Sequence, residues 1–191
     1  MTAWLIFIAH ASTEAVRSVR FPADEPLDER GREQAAELAA SLPRRTAIIT
    51  SPARRCRETA AAAGLEAEVD EGIAECDFGT WSGRSLADVN DDAPDGVRTW
   101  MLDPGAAPHG GDSLETFCAR IARWLDAQAE HDGRVVAITH GEVIKAAVVH
   151  ALGAPVLAFW RIDASPLAFT ELHAHAGRWT VTRLNCAPGT A

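Results

Sequence analysis

Two apolar runs in this sequence end on histidine: Trp4-Leu5-Ile6-Phe7-Ile8-Ala9-His10 and Val135-Val136-Ala137-Ile138-Thr139-His140. Each run reads as a buried strand. Imidazoles at the carboxyl ends of two such strands can converge on one crevice, where open α/β sheets bind ligands. Arg55 falls in the first turn of a helix that opens after Thr50, with Ser51 as its cap and Pro52 at its first position. A helix start offers free N–H groups and a positive dipole end to an anion, and a guanidinium adds a planar fork matched to phosphate oxygens. A neutral histidine can attack phosphorus and hold it covalently. A protonated second histidine can stabilise the equatorial oxygens. The leaving alcohol then needs a proton donor. Glu75, in Ala74-Glu75-Cys76-Asp77-Phe78-Gly79, is the candidate, with burial expected to raise its pKa.

The elements that must position these groups alternate. Short apolar runs are interleaved with helical patterns, which implies βαβ units and a largely parallel sheet. After the first strand, residues 28–42 read as a helix with Ala35, Leu38, Ala39 and Leu42 at helical spacing. Residues 46–50 read as the next strand, and Gly64 stops the helix after it. Residues 76–111 are rich in Gly, Pro and Asp, carry Trp81 and Trp100, and read as a lid-like excursion over the sheet. Asp112-Ser113-Leu114-Glu115 resembles a capping box ahead of a long helix to about His131. The strand ending at His140, a helix to about Leu152 and a hairpin turning near Gly177 complete the chain. The fold class expected is α/β, a three-layer sandwich with a central, mostly parallel sheet, in one domain spanning 1–191.

The chain has 191 residues, enough for one sizeable core, and an ordinary globular composition. A net charge of −9 argues against a nucleic-acid partner, which would want a basic stripe. It leaves room for a locally positive pocket at Arg54, Arg55 and Arg57, although Arg54 and Arg57 read better as a solvated helix face. The four cysteines have no close pairing and read as small buried side chains. The N-terminal apolar run is a poor signal peptide, and 143–160 is interrupted by Lys145, His150 and Pro155, so no membrane span is expected. These features imply a cytoplasmic protein. The oligomeric state stays open between monomer and homodimer.

The order of motifs resembles the histidine phosphatase superfamily, the group with the phosphoglycerate mutase-like fold. Its Arg-His-Gly-x-Thr is matched by Ala9-His10-Ala11-Ser12-Thr13. Its Pro-Leu helix entry is matched by Pro26-Leu27, Gly31, Gln34 and Ala35. Its Ser-Pro-x-x-Arg-x-x-x-Thr-Ala is matched by Ser51-Pro52, Arg55, Thr59 and Ala60. Glu75, Gly79, Trp81 and Gly83 match Glu-x-x-x-Gly-x-Trp-x-Gly. His140-Gly141 and Leu184-Asn185 match the late motifs. The resemblance implies a metal-independent phosphomonoester hydrolase acting on a small phosphorylated metabolite. His10 would be the phosphorylated nucleophile, Arg55 and His140 the grip on the phosphoryl group, and Glu75 the acid. Thr13 and Ser51 would be further substrate contacts. No cofactor is implied. His10, His140 and Glu75 could in principle hold zinc, but the resemblance and the nearby Arg55 argue for an anion.

The match has gaps. The first-motif arginine is Ala9 here, the following glycine is Ala11, the position often held by asparagine is Val16, and Gly-Glu-Ser becomes Gly111-Asp112-Ser113. An arginine acting on a transferring phosphoryl group can be worth roughly 10³–10⁵ in rate, so Arg17 or Arg20 would have to swing in. The alternative is a degenerate or repurposed member that binds a metabolite or anion, or does acid–base chemistry without phosphoryl transfer. Trp81 and Trp100 read as lid packing. Of the other histidines only His109, in Pro108-His109-Gly110-Gly111, has a place at the mouth of the site. Residues 76–111 mix Trp81, Trp100, Met101 and Pro108 with only two basic residues, Arg84 and Arg98, which suggests a partly apolar leaving group.

Overall fold

The computed structural model describes residues 2–43 and 46–188, so the extreme ends of the expected domain lie outside it. Its strands are β1 (Thr2–Ala9), β2 (Ala47–Thr50), β3 (Glu68–Val69), β4 (Gly133–Thr139), β5 (Phe169–His175) and β6 (Arg178–Cys186). They form one sheet in the order β3-β2-β4-β1-β5-β6. The first four in that order are parallel; β5 and β6 are an antiparallel hairpin on the β1 side. The α/β class with a mostly parallel sheet is as the sequence implies.

The helices are α1 (Glu14–Arg17), α2 (Glu29–Ala36), α3 (Arg54–Ala62), α4 (Leu86–Asp92), α5 (Pro94–Leu102), α6 (Leu114–Gln128) and α7 (Gly141–Ala151). Alternation along β1 explains the layers. Leu5, Phe7 and Ala9 face a core shared with Phe117, Ile121 and Leu125 of α6 and Val143 and Ala147 of α7. Ile6 and Ile8 face the opposite core, shared with Ala35 of α2 and Cys56 and Ala60 of α3.

This arrangement brings the histidines together. The parallel register pairs Ala9 with Thr139, so the next residue on each strand is a histidine. The chain exits are then stitched at that edge. The His10 N–H donates to the Thr139 carbonyl at 2.8 Å, and the Ser51 N–H donates to the Ile138 carbonyl at 3.0 Å. The loop after β1 rests on α2, where a Cβ at Gly31 would lie 2.3 Å from the Ser12 carbonyl oxygen. Only glycine permits that approach.

Several elements differ from the sequence expectation. The helix expected over 28–42 ends at Ala36. A 3-10 turn over Leu38–Ser41 follows, and its tighter winding turns Leu38 into the core ahead of Pro43. The helix after β2 begins at Arg54, without Ser51 as cap or Pro52 as first residue, because the Ser51 hydroxyl is engaged elsewhere. Ser113 caps α6 through the Thr116 N–H, with Glu115 one position too early for a reciprocal box. The two-residue edge strand β3 carries too short a pattern to be read in advance. No helix among the described residues is long and apolar enough to cross a membrane.

Residues 76–111 form a 3-10 turn at Gly79–Trp81 followed by α4 and α5. Phe21, Phe78, Trp81 and Trp100 pack as an aromatic cluster with centroid spacings of 5.2 to 6.2 Å. His109 is buried within this cluster, its ring 4.9 Å from that of Trp81. It therefore does not stand at the mouth of the site. Its Nδ1 accepts from the Gly111 N–H, which ties the loop to itself.

Candidate active site

His10, Arg55, Glu75 and His140 meet at the carboxyl edge of the sheet. His10 and His140 have ring centroids 5.5 Å apart. The His10 Nδ1 lies 2.8 Å from the Ala11 carbonyl oxygen. A carbonyl can only accept, so Nδ1 carries the hydrogen and Nε2 is left with a bare lone pair. Burial, and then the positive charge of His140, push the His10 pKa down to about 3, so the ring is neutral at physiological pH.

His140 is in the opposite state. It is fully buried, with Nδ1 at 2.7 Å from Glu75 Oε2 and Nε2 at 2.7 Å from Ser51 Oγ. Burial alone would push its pKa down, but the Glu75 carboxylate outweighs that and holds the imidazolium up to about 10. Arg55, also buried, donates from NH2 to the same Glu75 oxygen at 2.7 Å. Burial should raise the Glu75 pKa, as the sequence reading assumed. The charges of His140 and Arg55 reverse the sign and hold it well below the usual carboxylate range. Arg120 of α6 and Thr139 fix the approach to this carboxylate. Arg120 donates to the Ala74 and Glu75 carbonyls at 3.1 and 3.0 Å, and Thr139 Oγ1 donates to the Ile73 carbonyl at 2.8 Å.

Two polar atoms in this cluster are buried without a hydrogen-bond partner, Arg55 Nε and Glu75 Oε1. One is a donor and the other an acceptor. Unpaired buried groups cost about 1–3 kcal/mol each, and at a crevice they mark where a ligand's atoms belong.

The remaining expected residues fall around this core. Ser51 is completely buried behind His140. Thr13 is also buried. Its hydroxyl caps α1 through the Val16 N–H and donates to Glu25 Oε1 at 3.1 Å. One N–H of the first turn of α3 is already taken, that of Arg54, which donates to the Asp24 carboxylate at 2.6 Å. Arg17 is exposed and paired with Glu14 and Asp28. Arg20 lines the cavity above His10, with NH1 donating to the Gly83 carbonyl at 3.1 Å. Glu25 and Glu142 also line that cavity and had no signal of their own in the sequence. The donor atoms of His10, Glu75 and His140 lie within 4.8 Å of one another, close enough for a metal. Arg55 and His140 both hold Glu75 Oε2, which leaves Oε1 as the carboxylate oxygen open to such an ion.

The sequence profile of the histidine phosphatase superfamily (branch 1) matches residues 5–187. The chain belongs to that superfamily. It is 30% identical over 192 residues to phosphoserine phosphatase 1 of Hydrogenobacter thermophilus, covering 95% of this chain and 91% of that one. It is 32% identical over 170 residues to glucosyl-3-phosphoglycerate phosphatase of Mycobacterium tuberculosis, covering 80% of this chain and 76% of that one. The structure of mycobacterial glucosyl-3-phosphoglycerate phosphatase complexed with VO3 superposes with a TM-score of 0.83 at 28% identity, over 96% of this chain and 99% of that chain. The phosphoglycerate mutase-like fold inferred from the motifs is therefore correct.

The opposite shifts of Glu75 and His140 set a stability profile. Glu75 sits below its ordinary 4.5, so its contribution is in place above pH 4.5 and is lost as pH falls. His140 sits above its ordinary 6.5, so its contribution is complete below pH 6.5 and is lost as pH rises toward about 10. The difference in Tm between the protein and Glu75→Gln should peak between pH 4.5 and 6.5 and shrink on either side. A difference that keeps growing into alkaline pH would contradict the pairing.

Proposed function

We propose that the protein hydrolyses phosphomonoesters of small metabolites through a phosphohistidine at His10. The observation that carries this is the bare His10 Nε2, left without a hydrogen by the Nδ1 contact to the Ala11 carbonyl, on a ring kept neutral by burial and by two buried cations beside it. The names of the relatives, both phosphatases of small metabolites, support it. In this reading the phosphoryl group takes over the contacts that Glu75 makes in the free site. Arg55 turns its unpaired Nε and its NH2 to the phosphoryl oxygens, and His140 supplies a fixed positive charge from behind.

His10 Nε2 then attacks phosphorus, the bond to the leaving oxygen breaks, and the departing alcohol takes a proton from Glu75. Glu75, ionised in the free site, takes up that proton from solvent as substrate binds, because the incoming dianion offsets the two cations that keep it ionised. Its unpaired Oε1 is the atom that would carry it. Water, deprotonated by Glu75, hydrolyses the phosphohistidine, releasing inorganic phosphate and restoring His10. Ser51 and Thr13 act here as positioning residues, Ser51 on His140 and Thr13 on Glu25. No metal is needed in this reading, because Arg55 and His140 supply the positive charge that the phosphoryl oxygens require. The chain works in this account as one catalytic domain, with residues 76–111 as the cover of the site. Its described cysteines are all free, which supports a cytoplasmic location.

A second reading is a site that binds an anion or metabolite without transferring a phosphoryl group. It is favoured by the arginine count: Ala9 is buried in the core, and Arg55 is the only arginine on the Glu75 carboxylate among the described residues. An alkaline detergent quench after mixing with labelled phosphomonoesters decides between the two. An acid-labile, base-stable phosphoryl group on the protein, absent from His10→Ala, is expected. A folded protein that traps no label from a broad panel would contradict the proposal. If the site lacks only its second arginine, Ala9→Arg should raise turnover of p-nitrophenyl phosphate by roughly 10²–10³, the scale of one well-placed transition-state donor. Flat or falling turnover would show that the site is built for Arg55 alone.

A further inference from the structure

The cavity above His10 is much larger than a phosphoryl group requires, about 420 Å³. Its walls are aromatic and aliphatic. Phe117 and Leu114 of α6, Trp100 of α5, and Phe159 and Trp160 surround the approach to His10. The Trp100 and Trp160 rings meet edge to face at 4.7 Å, which closes the wall between α5 and the 3-10 turn Val156–Arg161. The apolar lining continues onto the surface. Val16, Val19, Leu86 and Met101 all line the cavity, and all four are among the large hydrophobic residues left exposed. Val19 is 63% exposed and holds a φ of 50°. That conformation is a strained one for a β-branched residue, and such strain gathers at ligand sites. Exposed apolar surface concentrated around one concavity marks a binding site for an apolar group.

The charges point the same way. The lining holds two cations, Arg55 and Arg20, against the carboxyls of Glu25, Glu75 and Glu142. Arg55 is committed to Glu75 or to a phosphoryl group, and Arg20 is bonded to the Gly83 carbonyl. A carboxylate or second phosphate on the leaving group would therefore meet the carboxyls of Glu25 and Glu142 and find no uncommitted cation in the lining. Sugar hydroxyls would lose water to ring faces that return few hydrogen bonds.

We propose that the leaving alcohol is uncharged and apolar, with an aromatic or prenyl body, in contrast to the amino acid and glycosyl acid named for the relatives. The inference rests on the phosphatase reading for the reaction and on the cavity alone for the binding. Trp100 and Met101 of the expected cover do line the cavity, whereas Trp81, Pro108, Arg84 and Arg98 do not.

The test uses the full chain and alkyl monophosphates of similar leaving-group acidity: benzyl and geranyl phosphate against phosphoserine, 3-phosphoglycerate and glucose 6-phosphate. Calorimetry on the unreactive phosphonate analogues of benzyl phosphate and phosphoserine runs in parallel. The benzyl and geranyl esters should lead in kcat/KM by roughly 10²-fold, and the apolar phosphonate should bind correspondingly tighter. Val19→Asp and Met101→Glu, both at exposed positions, should each cut that preference by about tenfold with unchanged circular dichroism. Equal or better turnover of the polar esters would overturn the inference and leave the phosphatase reading standing. Tighter binding of the apolar phosphonate with no turnover of any ester would uphold the apolar site and remove the phosphatase reading. No preference in either turnover or binding would overturn the inference.

Discussion

The Glu75 carboxylate, buried between the Arg55 guanidinium and the His140 imidazole, sets the protonation state of the whole site. Its Oε2 accepts from both at 2.7 Å. Three charged groups withdrawn from water are tolerable only together, and removing one partner of such a set typically costs about 3–5 kcal/mol. The triad charges His140, and the charge on His140 helps keep His10 neutral a ring away. The carboxylate thus charges His140, while burial and that charge keep His10 neutral, which leaves two histidines of opposite protonation at the ends of adjacent strands.

The fold supplies what this triad needs. Parallel pairing of β1 with β4 brings the two histidines to one edge, and the α3 helix delivers Arg55 to the same edge. The segment holding Glu75 belongs to no strand or helix, so it is pinned by Arg120 on its carbonyls and by Thr139 beneath Ile73. Above the ionic floor the walls turn apolar, built from α5, α6 and the 156–161 turn. A low-dielectric wall over a charged floor strengthens every electrostatic contact made there. The two halves therefore meet in one cavity, with Arg55 and Glu75 in its floor and apolar side chains in its walls.

Much of this was legible in the sequence because it depends on local pattern. His10 and His140 follow apolar runs that could only be buried strands, and Arg55 and Glu75 sit in motifs spaced by the turns they make. What depends on partners distant in sequence was not legible. Ser51 looked like a helix cap, since Ser-Pro before a helix commonly is one. It faces His140 instead, 89 residues away in the chain. The Glu75 pKa was expected to rise because burial is predictable from sequence, while the two cations that reverse the shift arrive from α3 and the end of β4. His109, in a Gly-rich loop, looked placed at the mouth of the site, yet the ring cluster of Phe78, Trp81 and Trp100 encloses it. Glu25 and Glu142 carried no pattern, and only the folded chain turns them toward the cavity.

The opposite protonation of the two histidines is most directly read by nitrogen NMR of the imidazoles across a pH titration. The account predicts that His10 stays neutral from pH 5 to 8 with its hydrogen on Nδ1, and that His140 stays doubly protonated through the same range, in line with shifts to about 3 and about 10. Glu75→Gln should return His140 to the neutral form near pH 7. A His140 that titrates near 6.5 in the intact protein, or a His10 that is charged at neutral pH, would contradict the account.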